Sequence, residues 1–274
     1  MSTIDEDILY TEKIMATHLF ENQMGDEDRI YYSSNENINK IIEKIDINNK
    51  NVLSVLGSGD QAFHLYNKGA SVVDVFDNNK LTIYYYYLRR WIIVYINSFY
   101  PDLNKFSIEY IKDILLKVKP NTLEEKDALN YWNKFVSKFT NSSLKSIFHF
   151  PANCDLKRNT INDIEELKNK ITNDNFSFYC EDFSWNINID KSYDLIYISN
   201  IPEWIYHFQG NIHMEMFKYN LMRLLNDNGV VLGTNITLYE PSYSMRKIFR
   251  DDFYLRYIID GNRTIGYQYS KMKK

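Results

Sequence analysis

The chain has 274 residues, 45% of them hydrophobic, enough to bury a substantial core as one large domain or as a domain with a long insertion. Its formal net charge of −4 excludes the global basic field that favours nucleic acid or anionic lipid, leaving only a local basic patch for either. Cys154 and Cys180 are too far apart for a metal-binding pattern, so no metal is expected and both read as buried apolar thiols in a reducing compartment.

Residues 1–30 alternate charge with apolar side chains such as Ile8, Leu9, Ile14, Met15, Leu19 and Phe20, the pattern of one or two amphipathic helices. The opening MSTIDEDIL is acidic where a signal peptide needs positive charge. No apolar run approaches the roughly 20 residues of a spanning helix. The longest, Trp91–Ile96, is short and follows Arg89 and Arg90. A cytoplasmic protein without a transmembrane segment is therefore expected. Ser33 and Glu36 have capping-box spacing, which predicts a helix through Ile38, Ile41 and Ile42. Residues 1–50 are expected to be N-terminal helices covering a cofactor site. Tyr31, Tyr32 and Ser33 are then candidate contacts, with Tyr32 near the chemistry. Packing on the next helix is the other reading of the two tyrosines.

Residues 51–79 organise the chain. Val52, Leu53, Val55 and Leu56 form an apolar run without helical spacing, as in a strand buried on both faces. Gly57-Ser58-Gly59 follows at once, and Ala62 completes G-x-G-x-x-A, the fingerprint of a nucleotide-binding βαβ unit. Val72, Val73, Val75 and Phe76 make a second strand that ends in Asp77, 18 residues beyond Gly59. An acid there accepts hydrogen bonds from both ribose hydroxyls. A dinucleotide would set its pyrophosphate on the helix N-terminus after the glycines, where a carboxylate at Asp60 repels it. S-adenosylmethionine has no phosphate and carries an ammonium and a sulfonium, which that carboxylate attracts. Asp60 thus points to S-adenosylmethionine over NAD, although the position also suits an ordinary helix N-cap.

Residues 78–98 are predicted helical. Within them Tyr84 to Tyr87 are spread round the circumference, so most belong to the core or an interface. Residues 99–175 break the strand–helix rhythm. Helical patterns run over about 106–118, 123–139, 143–149 and 160–172. This helical insertion is expected to form an acceptor pocket or lid. The rhythm resumes with a strand at Phe176–Cys180. Glu181, Asp182 and Phe183 follow, where a loop at the sheet's carboxyl edge meets an adenine; a solvated loop is the alternative. Tyr193–Ile198 is the next strand, and the turn Ser199-Asn200-Ile201-Pro202-Glu203-Trp204 is expected to face the reacting centre. Met214, Phe217, Leu221, Leu224 and Leu225 mark an amphipathic helix over 212–225, closed by Asn226–Gly229. Strands at Val230–Asn235, Phe253–Ile259 and Thr264–Ser270 complete a sheet with a final antiparallel hairpin.

Leu56-Gly57-Ser58-Gly59-Asp60-Gln61, Asp77-Asn78-Asn79 and Ile198-Ser199-Asn200-Ile201 resemble the class I S-adenosylmethionine-dependent methyltransferase superfamily. Within it they resemble the BtaA-like S-adenosylmethionine:diacylglycerol 3-amino-3-carboxypropyl transferases. The resemblance spans roughly 31–98 and 176–236. It implies a Rossmann-like α/β fold with a seven-stranded, mostly parallel sheet, over 51–98 and 176–274. It also implies Gly57, Ser58 and Gly59 around the methionine part, Asp77 on the ribose with Asn78 beside it, Asp182 near the adenine, and Ser199 and Asn200 facing the transfer. The implied activity moves a methyl or 3-amino-3-carboxypropyl group to a small molecule or lipid headgroup. Either displacement chiefly requires an aligned nucleophile and excluded water. Candidate general bases are Glu203, His207 and His213, with Tyr31 and Tyr32. Asn200-Ile201-Pro202-Glu203-Trp204 is also similar to the Asn-Pro-Pro-aromatic motif of nucleic-acid amino-methyltransferases, but the acidic charge opposes a nucleic-acid partner. A non-catalytic cofactor-binding module is a further alternative. Oligomeric state is left open.

Overall fold

The computed structural model describes residues 3–18, 29–149, 159–172, 174, 176–234, 249, 252–260 and 263–272. Two compact units are formed: Met1–Asn35 with Gly57–Asp60 and Asn79–Asn173, and Glu36–Leu56 with Gln61–Asn78 and Asp174–Lys274. Elements are numbered along the chain.

The first unit is helical. It contains α1 (Ile4–His18), α4 (Leu81–Ile96), α5 (Ile108–Leu115), α6 (Leu123–Lys138), α7 (Asn141–Ile147) and α8 (Ile164–Thr172). Two short strands, β1 (Ile30–Tyr31) and β4 (Phe148–His149), pair in parallel. Phe148 and His149 lie inside the 143–149 stretch expected to be helical. Their partners Ile30 and Tyr31 are distant in sequence, so local periodicity carries no sign of that pairing. Helix α4 is the hub, buried on every face from Tyr84 to Ile93, with Arg89 and Arg90 enclosed among its aromatic and aliphatic side chains. Tyr84, Tyr85, Tyr86 and Tyr87 are all buried. Tyr84 stacks on Tyr131 at 4.1 Å and donates its hydroxyl to Asp7, while Trp132 donates its indole N–H to the Tyr84 carbonyl at 2.8 Å. Burial first, and the Asp7 carboxylate next, push the Tyr84 hydroxyl far above its ordinary pKa, so it stays a donor.

Asn97 ends α4 in the left-handed conformation, φ 58° and ψ 42°. That position suits glycine or asparagine and penalises a branched side chain. Asn97→Val is expected to lower stability by about 1–2 kcal/mol, whereas Asn97→Gly should hold it within about 0.5 kcal/mol. Urea unfolding of the two variants checks this.

The second unit is built on a seven-stranded sheet: β2 (Asn51–Val55), β3 (Val72–Asp77), β5 (Phe178–Cys180), β6 (Tyr193–Ser199), β7 (Leu225–Gly233), β8 (Phe253–Asp260) and β9 (Arg263–Lys271). Their order is β5-β3-β2-β6-β7-β9-β8. The pairs from β5 to β7 are parallel, and β9 runs antiparallel to both β7 and β8. This is the expected α/β fold: a mostly parallel, Rossmann-like sheet closed by an antiparallel C-terminal hairpin. Helices α2 (Ile38–Ile42), α3 (Asp60–Asn67), α9 (Ile201–Phe208) and α10 (Asn211–Leu224) accompany these strands in sequence. Met214, Phe217, Leu221 and Leu224 of α10 form one core with Leu53, Ile196 and Ile198 of the strands. The strand order reverses between β2 and β6, and open α/β sheets take ligands beyond the carboxyl ends of the strands at such a point.

Three local expectations are corrected. Helix α2 is capped by Asn37, whose side chain accepts from Lys40 N, and not by a Ser33–Glu36 box. Asn37 caps as well as serine does and stands directly before the helix, four residues beyond Ser33. Helix α10 passes straight into β7 at Leu225, because Leu225 already pairs with Tyr193. The left-handed residue after it is Asn228, φ 65°, while Gly229 lies within the strand. Cys180 is exposed, since it ends the edge strand β5; Cys154 lies outside the described residues. Among the described residues no helix is long and apolar enough to cross a membrane.

Candidate functional site

The turn that leaves β2 has the predicted backbone. Leu56 N donates to Phe76 O at 2.8 Å, keeping β2 and β3 paired to their ends. Gly57 and Gly59 then take φ of 50° and 86°. Among the described residues a Cβ added to Gly57 would meet no atom within 4 Å, which leaves room for a ligand to approach the chain here. Ser58 is buried and its Oγ accepts from Asp60 N at 3.4 Å.

Asp60 does not carry a bare charge. It is fully buried, and its Oδ1 lies 2.9 Å from Nη1 of the equally buried Arg89. Its Oδ2 accepts from Ser34 N at 2.6 Å. Arg89 also donates to the carbonyls of Ser58 and Phe99 and lies over the rings of Tyr100 and Phe99, at 4.4 and 5.0 Å. Burial pulls the guanidinium pKa down, but Asp60 outweighs it and the net displacement is upward. The charge expected to repel a pyrophosphate is therefore answered inside the protein, by an arginine 29 positions away. Asp60 therefore does not favour one cofactor over the other.

In the second unit, Asp77 ends β3, nearly buried, and its carbonyl accepts from Glu181 N at 3.1 Å. Asn78 is exposed; Glu181 and Asp182 are half-buried. Asp182 Oδ1 accepts from the backbone and hydroxyl of Ser184, at 2.9 and 2.6 Å, and so shapes its own loop. Phe183 is a correction. It is 2% exposed and stacks on Phe76 at 3.9 Å, so the ring belongs to the core and not to a cofactor.

Ser199 ends β6 with φ 53°, an unusual angle for a residue with a side chain. Such strain persists where surroundings hold it, commonly at functional sites. Here the holder is Glu36. Its Oε1 accepts short hydrogen bonds from the hydroxyls of Ser199 and Thr234. Its Oε2 accepts from Tyr197 OH at 2.9 Å and Gln61 Nε2 at 3.2 Å. Burial first, then Glu36, push the Tyr197 hydroxyl well above its ordinary pKa, so it donates throughout. Glu36 was missed because the capping box claimed it; Asn37, an equally good cap directly before Ile38, was the signal that released it. Asn200 Oδ1 lies 3.3 Å from the Ser199 hydroxyl, and the Asn200 carbonyl accepts from Glu203 N and Trp204 N at the start of α9. Glu203 is half-buried.

The remaining candidates fall elsewhere. Tyr31 is 40% exposed with its ring edge-on to His149 at 5.1 Å. Tyr32 is fully buried among Tyr85, Phe106 and Phe148 and donates its hydroxyl to Pro101 O at 2.6 Å. It is a core residue, not a catalytic one. Ser33 is buried. His213 holds the loop after β5, with Nδ1 3.3 Å from Ser184 O and its ring against Trp185. The His207 side chain lies outside the described residues. Among the described residues no cluster of three or more His, Cys, Asp or Glu is arranged for a metal.

No family model matches the chain, and no curated protein matches it. Solved structures similar to it include an N-methyltransferase, NodS, from Bradyrhizobium japonicum WM9 in complex with S-adenosyl-L-homocysteine, at 8% identity over 96% of this chain and 100% of that one, TM-score 0.42. Another is a TehB-like SAM-dependent methyltransferase from Corynebacterium glutamicum, at 10% identity over 98% of each chain, TM-score 0.44. A third is magnesium protoporphyrin IX methyltransferase from Synechocystis PCC 6803 with bound SAM, at 9% identity over 99% of this chain and 85% of that one, TM-score 0.41.

Proposed function

We propose that the chain is an S-adenosylmethionine-dependent transferase that moves a methyl or 3-amino-3-carboxypropyl group to a small molecule or lipid headgroup. One observation carries the reading: in the second unit β3, ended by Asp77, pairs with β2 in a sheet whose order reverses next to β2, and the chain that leaves β2 takes positive φ at Gly57 and Gly59. In this reading the backbone of Gly57, Ser58 and Gly59 lies along the methionyl part. Asp77, with Asn78, takes the ribose, and Glu181 and Asp182 stand by the adenine. Ser199, Asn200 and Glu203, at the end of β6, face the acceptor. The bound sulfonium supplies a carbon open to displacement. The chain's share is to orient the acceptor and exclude water. A proton released by the acceptor goes to Glu203 or to solvent.

Calorimetry with S-adenosylmethionine and S-adenosylhomocysteine tests the reading; no heat from a folded protein overturns it. Asp77→Ala removes charge-assisted hydrogen bonds to the ribose and is expected to weaken binding about tenfold or more. Mass spectrometry of a reaction with cell extract separates the two transfers, since methyl transfer leaves S-adenosylhomocysteine and aminocarboxypropyl transfer leaves methylthioadenosine. NAD is the second reading, reopened by the Asp60–Arg89 pair, and its titration in the same cell decides between them.

A further inference from the structure

We propose that Glu36, and not Asp60, is the carboxylate that recognises the ammonium of the cofactor's methionyl end. The inference rests on the transferase reading above. Three elements of the second unit converge on Glu36. Tyr197 and Ser199 come from the end of β6, Thr234 from just beyond β7, and Gln61 from the first turn of α3. Strands β2 and β6 flank the reversal of strand order, and α3 is the helix that follows β2. A carboxylate thus stands at the place where this fold class seats a ligand. It comes from the segment just before α2, not from the fingerprint itself.

The four bonds are unequal. Each oxygen of Glu36 is supplied with at least two donors, close to a carboxylate's capacity. The Tyr197 hydroxyl lies at 2.9 Å, whereas the Gln61 amide is 3.2 Å away, at the long end of an N–H···O bond. Gln61 has the longest side chain among the non-aromatic donors and stands two residues after Gly59 in the chain. Its amide nitrogen occupies the position where a ligand ammonium would sit. A charged donor forms the stronger bond with a carboxylate, so an ammonium displaces the amide. The three hydroxyls hold the carboxylate in place while this happens.

Three probes test the assignment by calorimetry: S-adenosylmethionine, S-adenosylhomocysteine and methylthioadenosine. The first two carry the ammonium; the third has the adenosine and sulfur but no amino-acid group. Glu36→Gln is expected to weaken the first two about tenfold and leave methylthioadenosine unchanged. Glu36→Asp, which keeps the charge, should restore most of the difference. No change in any probe overturns the proposal. So does an equal loss across all three, which would mark Glu36 as a purely structural support. If neither variant folds, the wild-type protein decides. It should bind S-adenosylhomocysteine at least tenfold tighter than its deaminated analogue, and a difference under twofold overturns the proposal. Wild-type protein that binds none of the probes refutes the transferase reading itself; wild-type protein that binds them without selectivity refutes only the role of Glu36.

Discussion

Asp60→Asn is expected to destabilise the protein by about 3–5 kcal/mol, read as a shift of the urea midpoint. The amide keeps the shape of the carboxylate and still accepts from Ser34 N. It leaves the guanidinium of Arg89 buried beside a neutral group. Both side chains are fully enclosed, so water cannot replace the lost charge. Arg89 retains hydrogen bonds to the carbonyls of Ser58 and Phe99, which lessen the penalty without removing it. Arg89→Met strands Asp60 in the same way and should cost a similar amount. The double variant should recover most of the loss, because two desolvation penalties vanish with the pair. A single-variant cost below about 1 kcal/mol would show that the pair is not a buried charge compensation. The folded fraction of Asp60→Asn should keep its affinity for S-adenosylmethionine, since Asp60 acts through Arg89 and Ser34.

The contrast between Asp60 and Glu36 shows what a sequence displays and what it conceals. The βαβ unit was legible because every signal in it is local: an apolar run, two glycines at fixed spacing and an acid ending the next strand. The hairpin at the C-terminus was legible for the same reason, through alternation broken by a short turn. Both carboxylates depend on partners that local pattern does not reveal. Asp60 meets an arginine 29 positions on. Glu36 meets Gln61 at a separation of 25, and Tyr197, Ser199 and Thr234 at 161, 163 and 198. Tyr32 and Phe183 show the converse. An aromatic beside a polar loop has the same spacing whether its ring faces a ligand or the core, and only the stack on Phe76 and the bond to Pro101 decide. The helical insertion was read nearly element by element, yet the β1–β4 pair escaped, as pairing across so long a separation must.

Gly57→Val is expected to reduce affinity for S-adenosylmethionine at least a hundredfold while leaving the fold in place. Two effects combine. At φ 50° an L-residue is strained by about 1–2 kcal/mol, and a β-branched one is the worst case. That strain lowers stability. The added side chain itself meets no atom of the described residues within 4 Å of its Cβ, so it does not disrupt their packing. It fills the space in front of the backbone instead, where the transferase reading puts the methionyl part. Gly210 supplies the control. It too has a positive φ, 88° with ψ −174°, and a Cβ there also meets nothing within 4 Å among the described residues, but it caps α10 far along the chain from the fingerprint. Gly210→Val should therefore lose at least as much stability as Gly57→Val and leave binding unchanged. Equal loss of binding in both variants would mean that strain alone is at work. Retained binding in Gly57→Val would place the ligand away from this turn, and with it the transferase reading would fall.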